Sequence, residues 1–258
     1  NDDLVRVVVW VLERCDWTPM SNADGVHVFR TQLPPALSIA GRPLGPAAKF
    51  YCVKATGVLD ASPAMVHGYF RDNSRVHEYN EFCKQVEDIS QLDEATKVTW
   101  SASGRMGPFK ERDFVTRVHF RTLPDGTLLV ANRAEHHDKA PETPQYLRME
   151  ITLGANMLQP IEGEPNKTLF TLLTHVNPGG IAETRLGTMI MNSAAAAGPI
   201  KFIQSLRQCI SKDLAARKEK RAEEEEEEEF DRLLQEQVQL EASQGRSPLL
   251  NTCPAGVT

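Results

Sequence analysis

The chain has 258 residues, 41% hydrophobic and 25% charged, enough for one large domain or two small ones with a sizeable core. Its net charge of −6 offers no basic field to nucleic acid or to a strongly anionic membrane, and no run approaches the roughly 20 apolar residues that cross a bilayer. Five cysteines, odd in number, far apart and without a CxxC pair, argue against a disulfide framework and a zinc site, so no cofactor is expected and a reducing, cytoplasmic setting is.

Taken in chain order, Leu4, Val5, Val8, Val9 and Leu12 recur at helical spacing. Asp2, Asp3 and Arg6 make this an amphipathic helix rather than a signal peptide. Valine-rich helices are weak alone, so this one is expected to depend on packing. The chain starts at Asn1 without a methionine, which leaves room for sequence upstream. Strand signals begin at Trp17 and Thr18, alternate over 26–30, give way to a Pro/Gly-rich loop over 34–46, and resume over 49–59. Ser62 and Pro63 read as the cap and first residue of a short helix to about Phe70, and Asp72 can cap a second through Tyr79.

From residue 83 onward the pattern is strands, at 84–90, 97–103, 113–121, 128–135, 146–160 and 168–176, separated by turn chemistry at Asp93-Glu94, Pro124-Asp125-Gly126 and Glu164-Pro165-Asn166. Consecutive strands with short turns predict an antiparallel meander. Residues 183–217 then read as one long helix, kinked at Gly198-Pro199. After Ser211 there are 7 basic and 12 acidic residues, a net of −5, so the acidity belongs to a tail. Its Glu223–Glu229 run predicts a solvated helix or a disordered segment, with a thin apolar stripe at Phe230, Leu233, Leu234, Val238 and Leu240 and a disordered end over 243–258.

On a strand starting at Arg112, the residues Phe114, Thr116, Val118 and Phe120 share one face, suited to an apolar cavity. Asp113, Arg117, His119 and Arg121 share the other, suited to water or sheet-edge partners. Arg112 and Asp113 therefore point apart, and both are expected to fix the strand entrance through hydrogen bonds to backbone. On the late helix Leu186, Met189, Ile190, Ser193, Ala194 and Ala197 form a stripe, continued by Ile203, Leu206 and Ile210. His136, His137 and Asp138 beside Glu135 do not make a metal site, because adjacent histidines project to opposite sides of a strand and no third ligand is near in sequence. There is no GxSxG, P-loop or dinucleotide fingerprint, and no acid–base set on the apolar face, so no enzyme is expected.

Several of these features stand in a recognisable order: GPFKERDFV at 107–115 with its Arg112-Asp113-Phe114-Val115, then Leu147-Arg148, then the strand, Asn177-Pro178-Gly179-Gly180 turn and helix of 175–208, with Asn192 and Pro199 in that helix. Together they resemble the START family (steroidogenic acute regulatory protein-related lipid transfer domains) over about 4–214, nearest in the NPGG turn to its phosphatidylcholine-transfer branch. The resemblance implies an α+β helix-grip fold, a curved antiparallel sheet of about nine strands wrapped around a long C-terminal helix, in a domain over 1–216 followed by an acidic tail over 217–258. It implies a monomer that binds a single lipid, phospholipid or sterol, in an internal apolar tunnel and transfers or senses it while touching membranes transiently and peripherally. It assigns Trp100, Phe114, Thr116, Val118 and Leu173 to the cavity wall, and Leu186, Met189, Ile190, Ser193 and Ala197 to a lid. Arg112, Asp113, Arg148, Asn177, Gly179 and Gly180 are its structural motif residues.

The chain departs from the family at Val118, where cholesterol and phospholipid binders commonly carry an arginine, and at Phe114, where the choline cage has a tyrosine. The resemblance therefore does not carry phosphatidylcholine specificity with it. Two alternatives stand beside the lipid carrier: a lipid-regulated scaffold that recruits a protein through Glu223–Glu229, and a hydrolase or cyclase on a related helix-grip fold.

Overall fold

The computed structural model describes residues 1–105 and 110–243. The turn expected at 107–109 and the chain end from 244 lie outside those residues. Helix α1 (Asp2–Arg14) buries Leu4, Val8 and Val11. Two antiparallel series of strands follow. The first contains β1 (Thr18–Ala23), β2 (Val26–Thr31) and β5 (Cys52–Leu59), and its intervening loop folds into a small hairpin of β3 (Ser38–Ile39) and β4 (Arg42–Pro43). Helix α2 (Pro63–Arg71) starts where Ser62 Oγ accepts the Met65 N–H at 3.3 Å. Asp72 likewise accepts from Ser74, opening a single 3₁₀ turn before α3 (Val76–Tyr79).

The second series runs through β6 (Cys83–Asp93), β7 (Thr96–Ser103), β8 (Arg112–Thr122), β9 (Leu128–Ala134), β11 (Glu150–Ile161) and β12 (Glu164–Asn177). The sheet order is β1-β2-β5-β12-β11-β9-β8-β7-β6, an open sheet whose two series are joined by the β5–β12 pair. The strand read over 146–160 is broken at Met149. Its first two residues form β10 (Leu147–Arg148), which pairs parallel with β8 and sets Arg148 opposite Asp113.

After β12 a 3₁₀ turn (Gly180–Glu183) leads to α4 (Arg185–Ala194) and then α5 (Ala197–Ser243). The single kinked helix expected from 183 is thus two helices, and the break falls at Ala195-Ala196. Pro199 sits in the first turn of α5, where its missing N–H has no helical acceptor to lose.

The chain divides into two compact units, Asn1–Ile210 and Ser211–Thr258. In the first, the inner face of the sheet packs Phe170, Leu158 and Phe120 against α2 and against Ile203, Leu206 and Ile210 of α5. The outer face packs Leu129, Leu153 and Leu173 against α1. The middle of the sheet is therefore covered on both sides, while β1 and β6 at its edges stay largely exposed. The β8 face expected to meet water instead has Asp113, Val115 and His119 buried, with Val115 packed beside Ala140 of the loop before β10. In the second unit the described residues continue as helix, with Glu223–Glu229 and the side chains of Phe230, Leu233, Leu234, Val238 and Leu240 exposed. Lys220–Glu224 (3.3 Å) and Arg221–Glu225 (3.8 Å) pair at i,i+4 along it.

Candidate functional site

The inner sheet face and the corner between α4 and α5 bound a partly open cavity of 630 Å³. Its sheet side is built by Val53 of β5, Leu172, Thr174 and Val176 of β12, Phe114 of β8 and Met149. These residues converge because side chains at alternate positions of neighbouring strands share one face. The helix side is closed by Ile190, Met191 and Ala194 of α4 and by Ala197 and Phe202 of α5, whose small residues let the helices approach the sheet. Phe202 also stacks near Phe70 and Phe170, with centroids 6.4 and 6.3 Å away, and meets Tyr79 edge-on at 5.8 Å, forming an aromatic floor. Among the described lining residues the charged side chains are Glu81 and Lys201, which form an ion pair with each other beside Phe82. Such a lining is matched to an apolar ligand, since any charge drawn inside would lose its hydration without gaining a free counter-charge.

A second concavity, 830 Å³, lies on the outer side of β6–β8 under the loop before β10. It is larger but less suited to a small molecule. Most of its charged groups are already engaged with the fold: Lys84 with Glu111, Asp88 with Lys97, Lys139 Nζ with the Ile89 carbonyl at 3.0 Å, and Asp113 with Arg148.

The segment that closes the inner cavity is held by a few identifiable contacts. Arg112, 1% exposed, donates from Nε to the Pro178 carbonyl at 3.2 Å, tying the start of β8 to the turn before α4. In that turn Asn177 Oδ1 accepts the Gly179 N–H at 3.2 Å, and Gly179 and Gly180 adopt φ of +66° and +59°, a region that other residues enter with strain. Thr184 caps α4 by accepting the Gly187 N–H at 3.1 Å. Gly187 lies flat on the preceding turn, where an added Cβ would stand 2.2 Å from the Ile181 carbonyl. Further along, Asn192 reaches across to the sheet. Its Oδ1 accepts the Tyr51 N–H at 2.9 Å and its Nδ2 donates to the Lys49 carbonyl at 3.1 Å.

Asp113 serves the other side of β8. Arg148 donates to both carboxylate oxygens at 2.9 Å, and Trp100 Nε1 donates to Oδ2 at 3.0 Å. Burial by itself would raise this carboxyl, but the Arg148 and Trp100 hydrogen bonds outweigh it and hold the pKa below the usual carboxylate value. Arg112 thus fixes backbone as expected, whereas Asp113 is bonded to two side chains.

Of the cavity-wall residues named from sequence, Phe114 lines the cavity. Thr116 and Val118 extend the same face but lie in its packed part, Val118 against the inner core. Trp100 does not face the cavity. It stands opposite Val115 on the outer face, with Tyr146 edge-on at 6.1 Å. Leu173 is also outside, packed in the α1 core, because its neighbours Leu172 and Thr174 take the inward positions. On the late helix, Ile190 and Ala197 line the cavity, while Ser193 is exposed. Leu186 and Met189 point away from it and are each 63% exposed, as is Ile181. Sequence reasoning missed Tyr51, Met149 and Phe202. Phe202 sits beside Ile203 on the helix, a position that periodicity alone assigns to the flank of the buried stripe.

The START domain family model matches residues 5–214. The steroidogenic acute regulatory protein, mitochondrial, of Salvelinus fontinalis is 27% identical over 170 residues, covering 61% of this chain and 56% of that protein. Its counterpart in Danio rerio is 27% identical over 136 residues, covering 50% and 45%. The chain thus spans about half the length of these curated relatives. Human StAR-related lipid transfer protein 5 superimposes with a TM-score of 0.67 at 16% identity, covering 82% of this chain and 94% of that one.

Proposed function

This chain belongs to the START domain family, and from that premise we propose that it takes a single lipid into the inner cavity and transfers or senses it between membranes. The observation that carries the reading is a 630 Å³ apolar chamber whose charged lining side chains are paired with one another. That volume is within the ordinary range of ligand pockets. A 16-carbon chain buried there gains about 13 kcal/mol gross at about 0.8 kcal/mol per methylene, and the same gain in the donor and acceptor bilayers is what permits exchange.

Membrane contact is assigned to α4 and the turn before it. Ile181, Leu186 and Met189 present apolar side chains to the outside directly above the chamber wall. No helix among the described residues is long and apolar enough to cross a membrane, and peripheral, transient contact through this patch is the proposed mode. The role proposed is that of a carrier, since the described lining is predominantly apolar and its charged pair, Glu81 and Lys201, is engaged with itself. The test is extraction of fluorescent lipids from vesicles by the purified chain. Saturation at one lipid per chain is expected, and failure of the folded protein to extract any lipid class removes the reading.

A further inference from the structure

The 830 Å³ concavity on the outer side of β6–β8 holds an arrangement for which the inner chamber has no use. Trp100 and Tyr146 both line it and meet edge-on, with centroids 6.1 Å apart. The indole is held from behind, since its N–H is spent on Asp113 and both oxygens of that carboxylate are held by Arg148. Arg148 also donates to the Ala140 carbonyl at 3.0 Å, so strand and loop fix the ring together. A ring anchored through its N–H offers a ligand aromatic surface and no donor.

Glu87 stands directly opposite Trp100 in the β6–β7 register, so the two side chains leave the sheet on the same side with Cβ atoms about 5 Å apart. It is exposed, and of the charged side chains lining the concavity it is the one that makes no hydrogen bond or ion pair with the described residues. Two rings and an unengaged carboxylate converging on one hollow match an organic cation, because aromatic faces attract positive charge and the carboxylate supplies the countercharge. Gln85, Thr143 and Gln145 add amide and hydroxyl oxygens to the lining. These accept N–H bonds, which favours a cation that carries N–H donors over a quaternary ammonium.

We propose that this outer concavity is a docking site for an arginine presented by a partner polypeptide, with its guanidinium stacked on Trp100 and Tyr146 and paired with Glu87. A planar guanidinium can lie on a ring and still direct N–H donors to a carboxylate, which a lysine ammonium does less well. The hollow is larger than one side chain needs, and the polar groups at Gln85, Thr143 and Gln145 suit the backbone of the segment that carries the arginine. Trp100 and the inner chamber lie on opposite faces of the sheet, so one chain can hold lipid and partner together.

The test is an NMR titration of the full chain, read at the tryptophan indole N–H signals, with the end-blocked peptide Gly-Gly-Arg-Gly-Gly. The same peptide with citrulline in place of arginine keeps the planar shape and removes the charge, and spermine serves as a free polyamine. The arginine peptide is expected to bind about tenfold more tightly than the citrulline peptide, the combined worth of a cation–π contact and an ion pair. Glu87→Gln is expected to weaken it about threefold and Tyr146→Leu about fivefold, with lipid extraction unchanged in both. Equal binding of the two peptides, or binding of neither, overturns the site. Affinity unchanged in both variants places the peptide elsewhere and overturns it as well. Spermine binding more tightly than the arginine peptide overturns the polypeptide partner in favour of a free polyamine.

Discussion

Arg148 and Asp113 are both largely buried and meet through two hydrogen bonds, so neither can be removed without stranding the other. Arg148→Met is expected to cost about 3–5 kcal/mol, the range for breaking a buried pair, read as a lower denaturation midpoint with an unchanged slope. His175 makes a pH prediction. It is fully buried in the outer core, and burial pulls its imidazole down to about 4 against the partial opposition of the Phe50 and Ala47 carbonyls. In the unfolded chain it titrates near 6.5. Its contribution to stability is therefore fully present above about pH 6.5 and is lost as pH falls toward 4, amounting to about 3 kcal/mol across that window. Denaturation midpoints measured from pH 7 to pH 4 should fall less steeply in His175→Gln, and parallel slopes would refute the assignment. At this scale the sequence is informative within a strand and mute between strands. Alternation separates Phe114 from Asp113 and Val115, but it does not tell that Trp100 faces Val115, nor that Leu173 looks outward between two inward neighbours, because register depends on pairings made far away in sequence.

Helix α4 and the turn before it are tied to the rest of the domain by a few long-range hydrogen bonds: Asn192 to Lys49 and Tyr51, and the Lys49 ammonium to the Glu183 carbonyl at 2.8 Å. The order of helices and strands was legible because caps such as Ser62 and Asp72 act locally, but the turn read at Glu164-Pro165-Asn166 falls instead at Glu162-Gly163, where Gly163 takes a positive φ, and those three residues open β12. The division of the late helix was not legible, since Ala194 to Ala196 are good helix formers and only packing over the chamber decides where the axis turns. A disulfide formed by Asn192→Cys and Tyr51→Cys should lock α4 to the sheet, slowing lipid exchange between vesicles at least tenfold while retaining lipid already bound. Reduction should restore the rate. Equal rates for the oxidised and reduced protein would show that α4 is not the part that moves.

For the molecule as a whole, the first unit contains both cores and the chamber, whereas the described apolar side chains from Phe230 to Leu240 in the second are exposed. Removing residues 222–258 should leave the melting temperature within about 2 °C and lipid extraction unchanged, as expected of surface positions worth no more than about 0.5 kcal/mol. A larger fall would mean that the acidic segment contributes to the stability of the first unit.

The joining of β5 to β12 carries a consequence for how the chain reaches its structure. Val53 pairs with Thr174, so the central seam of the sheet unites residues more than a hundred positions apart. During synthesis β1, β2 and β5 emerge early, yet one long edge of β5 has no partner until β12, the last strand among the described residues, has been made. Val53, which will later line the chamber, and Ala55 and Leu59 of the inner core wait with it. Seams of such high contact order close slowly, and an uncovered apolar edge is what chaperones bind and what aggregates recruit. The arrangement that encloses a chamber in the finished molecule therefore makes the nascent chain dependent on protection until β12 arrives.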